Sequence, residues 1–338
     1  MYDANVLSTG NHENDNVAFN SNTPFSSSSN DATESAMLAR KAQRALASLS
    51  GEERSKILNE ISISIENEIK AILGANARDL VLFDRPALRE GLRHGNVCNP
   101  GHNSLRYNYK YISNPLIAQN KDKQHLKQRL KLSEAKLKSV IKGARSLALK
   151  EDLIGKEIVS RDIYRDQLHL KQVYSPIGVL LIIFEARPEC LPQIVSLAIR
   201  AGCGVILKGG SEAQTSNAIL HRIVTNAITA STDGKVVGEH LIHLLENREQ
   251  VNALLGNEHA ERYIDIVIPR GSNKLVKHIQ STTRLPVLGH AAGVCHAFVD
   301  NNICLDNCIK LLIDAKTNFQ DGEAGYYFKV YKSWPSVA

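Results

Sequence analysis

Three short stretches hold residues that could grip an anion: Glu185-Ala-Arg187, Lys208-Gly209-Gly210 and Arg270-Gly271-Ser272. Each follows an apolar run and precedes a helical pattern, so each reads as a turn between a strand and a helix. Glycines in such a turn let backbone amides approach a ligand, and a helix start with a nearby ammonium suits a phosphate or a ribose phosphate. Glu185 and Arg187 add an acid and a fixed positive charge. The alternative is that Gly209-Gly210 only makes a tight turn while Lys208 is solvated. His290 and His296 are either general bases or structural histidines beside strands.

The elements that must position these turns are legible around them. Ile177 to Phe184 is a continuous apolar run of the length and β-branched content of a strand buried on both faces. Leu191, Ile194, Val195, Ala198 and Ile199 then recur at helical spacing up to Gly202, a natural left-handed helix end. Gly204 to Lys208 is a second strand, and Ser211-Glu-Ala-Gln214 suggests a capping box opening the helix of Leu220, Ile223, Val224 and Ala227. His240 to Leu245 and Tyr263 to Ile268 read as two further strands. Strands alternating with helices predict a parallel sheet with right-handed crossovers, whose ligands bind outside the carboxyl ends of the strands. All three turns lie at such ends.

Before this unit, residues 1–32 are rich in Asn, Ser and Asp and are expected to be disordered. Helices follow from Thr33, with Ser50-Gly-Glu-Glu53 as a capping box and Gly74 as a cap or bend. Residues 83–127 show no period and scatter Asn among Tyr107, Tyr109 and Tyr111; they are either an inserted surface loop or a faulty stretch of gene prediction. Ser133 should cap the next helix, and residues 163–173 suggest a hairpin.

With 338 residues, 43% hydrophobic and 22% charged, the chain can form two ordinary globular domains. No apolar run reaches the roughly 18 residues of a membrane helix. The first residues lack a secretory signal, and with no Arg in the first 39 they do not read as a mitochondrial leader. A cytoplasmic protein is expected, or a mitochondrial one if a longer bifunctional form exists. The six cysteines show no metal spacing and read as buried reduced thiols, so no metal is expected. Net charge is +6, yet residues 121–150 hold ten Lys/Arg against two Asp/Glu. Lys138, Lys142 and Arg145 therefore form either an anion or nucleic-acid patch or, the preferred reading, the solvated face of an amphipathic helix.

Three ordered segments carry a resemblance: Pro176-Ile-Gly-Val-Leu-Leu-Ile-Ile-Phe-Glu-Ala-Arg-Pro-Glu189, Ile206-Leu-Lys-Gly-Gly210 and Asp265-Ile-Val-Ile-Pro-Arg-Gly-Ser-Asn273. They resemble the signatures of γ-glutamyl phosphate reductase, which occurs alone or as half of a bifunctional pyrroline-5-carboxylate synthase. The likeness covers about residues 34–82 and 128–319. It implies an aldehyde dehydrogenase-like α/β fold: a Rossmann-like cofactor domain over residues 34–285, interrupted by the insert 83–127, then a truncated start of a catalytic domain at 286–338. It implies NADPH as cofactor, γ-glutamyl phosphate as substrate, a role in proline biosynthesis, and a homo-oligomer in the full-length form. By the same resemblance Lys208, Gly209, Gly210, Gly271, Ser272 and Gly289 would contact the cofactor, while Glu185 and Arg187 would lie near the substrate.

The chain departs from the family after Asp314-Ala-Lys-Thr-Asn-Phe319, where Gln320-Asp-Gly-Glu323 stands in place of the segment bearing the nucleophilic Cys. A carboxylate cannot form the thioester that accepts hydride. Losing a covalent nucleophile costs on the order of 10⁴ to 10⁶ in rate, so the chain is expected to be inactive as written. The rival readings are a non-catalytic nucleotide-binding or regulatory paralogue, and a nucleic-acid binder through the basic helix.

Overall fold

The structure is a computed structural model that describes residues 29–85, 124, 126–163, 168–271, 273–289, 295–300, 304–317 and 328–332. A parallel sheet of four strands organises it: β3 (Val179–Phe184), β4 (Gly204–Lys208), β5 (Ile242–Leu244) and β6 (Ile266–Arg270), in the order β5-β4-β3-β6. β3 is buried along its whole length, as its unbroken apolar run predicts. Alternation splits its side chains between two layers. Leu180, Ile182 and Phe184 join Val205 and Leu207 under helices α2 (Gly51–Asn67), α4 (Glu134–Ala148), α5 (Cys190–Arg200) and α6 (Gln214–Ser231). Val179, Leu181 and Ile183 join Ile206 and Val267 under α1 (Ser29–Ser48), α8 (Arg248–Leu255) and α9 (Asn273–Thr282). The unit around this sheet is thus a helix, sheet, helix sandwich.

The topology marks the end of the sheet at which parallel α/β sheets take ligands. From β3 the chain steps outward through β4 and β5, then returns to place β6 on the other side of β3. The direction of travel reverses between β3 and β6, and the crevice beyond their carboxyl ends is the switch point of the sheet.

Several local expectations hold. Ser50 and Glu53 form a reciprocal capping box, Ser133 accepts from the amide of Lys136, and Gly202 adopts φ +66°. A hairpin is present, but its first strand, β1 (Glu157–Ile163), lies ahead of the expected stretch 163–173 and pairs with β2 (Leu168–Val173). α4 buries Leu137, Val140 and Ile141. Two of its three outward cations are paired, Lys138 with Glu134 at 2.7 Å and Arg145 with Glu66 at 2.5 Å.

Others are corrected. α1 begins at Ser29, inside the expected tail, because Ala32 and Ala36 pack into the core. Residues 1–28 lie outside the described residues. The break between the early helices falls at Glu68, and α3 (Ile69–Asp84) runs through Gly74 without a bend cap. α3 also takes in Phe83 and Asp84, and Lys127 pairs with Asp84 at 2.6 Å, so the margins of the expected insert belong to the fold. Its interior, 86–123 and 125, is outside the described residues. His240 and Leu241 close a helical turn, α7 (Gly238–Leu241), and only Ile242–Leu244 pair as strand. Tyr263 precedes β6 rather than entering it. Ser211 makes no capping box: residues Ser211–Ala213 form a 3₁₀ turn with no side-chain cap. Cys304 is exposed, contrary to the buried reading.

Pro286 and Leu288 exchange backbone hydrogen bonds with Val267 at 2.9 and 2.8 Å. The stretch expected to open the catalytic domain therefore lies along the free edge of β6, extending this sheet. Beyond it come β7 (Cys295–Val299), α10 (Leu305–Thr317) and β8 (Phe328–Lys332), with β7 and β8 paired in parallel. Leu305, Leu311 and Ile313 of α10 are exposed.

Candidate functional site

The register of β3 and β6 pairs Ile183 with Pro269 and Phe184 with Arg270. Both strands thus end at the same level, and the turns that follow meet. A Cβ added to Gly271 would lie 3.1 Å from Cδ of Glu185 and 2.8 Å from Leu275. Glycine is what lets the β6 turn pass this close to the Glu185 side chain. Burial raises the Glu185 pKa, the charge of Glu212 raises it further, and Arg248 and Arg129 pull it down. Arg187 is exposed on the same turn. Its charge, with those of Arg270 and Lys136, acts on the thiol of Cys190, whose pKa is nevertheless raised because burial dominates, followed by the nearby Glu189.

The β4 turn lies one strand away. Lys208 is 8% exposed and its ammonium donates to the carbonyl of Gly209, so it is not the solvated lysine of the alternative reading. Gly209 is pressed against α6: a Cβ there would fall 2.2 Å from Nδ2 of Asn217 and 3.4 Å from the ring of Phe184. Asn217 is 2% exposed, and its buried Oδ1 has no hydrogen-bond partner among the described residues.

The amides expected to be open at this helix start are occupied. Asp79, 2% exposed on α3, accepts from the amide of Thr215 at 3.0 Å and of Ser216 at 2.7 Å. A buried carboxylate therefore sits where a phosphate was expected, and the β4 turn offers Lys208 rather than helix amides. Glu212 reaches the other way, its Oε1 accepting from the amide of Ala186 at 2.6 Å. Asp79, Glu212 and Asn217 escaped sequence reasoning because nothing in their local spacing marks them; each acts across the fold.

Among the remaining expected residues, Gly289 packs behind β6, where a Cβ would meet Pro269 at 3.0 Å and Val276 at 3.1 Å. Ser272, His290, the side chain of His296 and Glu323 lie outside the described residues. Among the described residues no group of three or more His, Cys, Asp or Glu could hold a metal, and no helix is long and apolar enough to cross a membrane. A groove of about 860 Å³, lined by residues including Lys56, Lys150 and Arg200, lies at the amino end of the sheet and holds none of the expected site residues.

The fold is aldehyde dehydrogenase-like. The fold matches an acetylating aldehyde dehydrogenase from Geobacillus thermoglucosidasius with TM-score 0.52 at 14% identity, over 86% of this chain and 52% of that one. Within that class the chain is a homologue of the γ-glutamyl phosphate reductases and the Δ1-pyrroline-5-carboxylate synthases. The Thermotoga maritima γ-glutamyl phosphate reductase structure matches with TM-score 0.64 and 26% identity, covering 85% of this chain and 60% of that one. The Δ1-pyrroline-5-carboxylate synthase of Solanum lycopersicum is 39% identical over 289 residues, 86% of this chain and 34% of that protein. The chain thus spans about a third of the length of such curated relatives. No family model matches it.

Proposed function

We propose that this chain carries the cofactor-binding part of a γ-glutamyl phosphate reductase, acting in proline biosynthesis, and that as it stands it binds NADPH without completing the reduction. The observation that carries the reading is the register of β3 and β6, which ends both strands at one level and brings the Gly271 turn against the side chain of Glu185 at the switch point of the sheet, with Arg187 exposed two residues further on. The residues present fit a nucleotide in part. Lys208 offers a buried ammonium, and Gly271 keeps the β6 turn free of a side chain where it passes Glu185, but the α6 amides are taken by Asp79. The pyrophosphate is therefore assigned to the turn at Gly271 and Ser272, and the ribose to Lys208. When bound, the nicotinamide supplies the hydride. Arg187 would stabilise the negative charge of the acyl phosphate. The thiol needed for the covalent step has no counterpart at Glu323.

The test is an assay of phosphate-dependent NADP⁺ reduction with pyrroline-5-carboxylate on three proteins: the chain itself, Glu323→Cys, and the chain with a family member's sequence in place of everything after Phe319. Only the third is expected to turn over, because a thiol also needs a lowered pKa and a walled pocket. Turnover by the unmodified chain would sink the nucleophile argument. The pairing of Lys138 and Arg145 with carboxylates favours a structural role for α4 over a nucleic-acid face.

A further inference from the structure

Ala186 is one of two non-glycine residues with positive φ among the described residues, at +42°, and it is 1% exposed. An L-residue with a Cβ is disfavoured there, so something must hold it. It sits between Glu185 and Arg187, and its conformation sets the direction in which both leave the end of β3. Its amide has lost the strand ladder and would be a buried unpaired donor. The partner it finds comes from the neighbouring turn: Oε1 of Glu212 accepts from it at 2.6 Å. That carboxylate is folded back over Gly210, where a Cβ would stand only 1.9 Å from the same oxygen. Glycine at 210 is therefore the space through which Glu212 reaches Ala186.

We propose that Glu212 is a positioning residue, a strap from the β4 turn that holds Ala186 in its left-handed conformation and so aims Glu185 and Arg187 into the crevice. The inference rests on reading this crevice as the ligand site, but the strap itself can be tested without any ligand. A residue that merely stabilised its own helix would not depend on what occupies position 186. A strap would: replacing Ala186 by Gly removes the steric need for it, and Gln at 212 keeps the accepting oxygen while removing the charge.

Four proteins decide the matter: the full chain, Glu212→Gln, Glu212→Ala, and Glu212→Ala combined with Ala186→Gly. Hydrogen exchange of the residue 186 amide is measured first. Exchange in Glu212→Ala should be about tenfold or more faster than in the parent, and Glu212→Gln should stay near it. NADPH is then titrated by its fluorescence. Affinity should fall about tenfold in Glu212→Ala, hold within a few-fold in Glu212→Gln, and return in the double variant. Unchanged exchange in Glu212→Ala overturns the strap, as does a double variant that binds no better than Glu212→Ala. If the parent itself binds no NADPH, the cofactor reading fails while the exchange measurement still decides for or against the strap.

Discussion

Asp79 of α3 holds the start of α6 through Ser216, with the carboxylate 2.7 Å from the backbone amide and both partners buried. Asn76, one helical turn earlier, donates to Oγ of the same Ser216 at 3.1 Å and to the carbonyl of Leu130 at 2.9 Å. The long early helix is thus the clamp that fixes the β4 turn from behind. Asp79→Ala should lower stability by about 1 to 3 kcal/mol, since it strips a buried and a part-buried backbone donor of their acceptor. Asp79→Asn should cost less because one oxygen remains. Denaturant melts of both variants check this, and equal stability of Asp79→Ala and the parent would refute the clamp.

Lys208→Ala should weaken NADPH binding by about 1 to 2 kcal/mol, as expected for loss of a charge-assisted hydrogen bond. Calorimetric titration reads the change. An unaltered affinity would remove Lys208 from the site and leave its ammonium as a cap on the Gly209 carbonyl.

Gly209→Ala should unfold part of the structure rather than tune binding. Its Cβ would stand 2.2 Å from Asn217, a side chain that is itself 2% exposed and has little room to move. A drop in melting temperature of several degrees is expected; a protein as stable as the parent would mean that α6 can shift away from β4.

His243 of β5 is half-buried, its pKa held down to about 4 first by burial and then by His221 and His240. Its Nε2 is buried with no hydrogen-bond partner among the described residues, while His221 bonds the Ile242 carbonyl at 2.7 Å and has its own pKa lowered mainly by burial. Glu239 of α7 opposes this only at His221. The unfolded chain takes up a proton near the ordinary value of 6.5 and the folded chain resists until about 4. Stability should therefore fall as pH drops through that window and level off below it. Melting curves from pH 7 to pH 4 test the slope, which His243→Leu should flatten.

Replacing residues 86–123 by a short Gly/Ser join should leave the melting temperature unchanged or raised. The flanks are tied to the fold on their own account, by the Asp84–Lys127 pair at 2.6 Å and by Oδ1 of Asn76 accepting from the amide of Leu132 at 2.8 Å. A large fall would show that the segment packs on the core.

The parallel sheet is already legible in the amino-acid pattern, because an apolar run such as Val179–Phe184 has no stable place except between two layers of helices. The pattern also marks which three turns end strands, because each breaks an apolar run ahead of a helical pattern, and it marks the helix ends at Gly202 and Ser50, which act through their own backbone and nearest neighbours. What it could not determine is how those turns are occupied. Phosphate-ready amides at α6 were a fair expectation from local spacing, and they failed because Asp79, 137 residues before Ser216, supplies the anion from within. The left-handed Ala186 carries no local signal, being an alanine, and is held by Glu212 from 26 residues away. The short β5 and the extension of β6 by Pro286 to Leu288 were likewise decided by pairing partners rather than by pattern. Hydrophobic periodicity is local and survives in the sequence; hydrogen-bond partners of buried polar groups are chosen by tertiary distance, which only the folded chain defines.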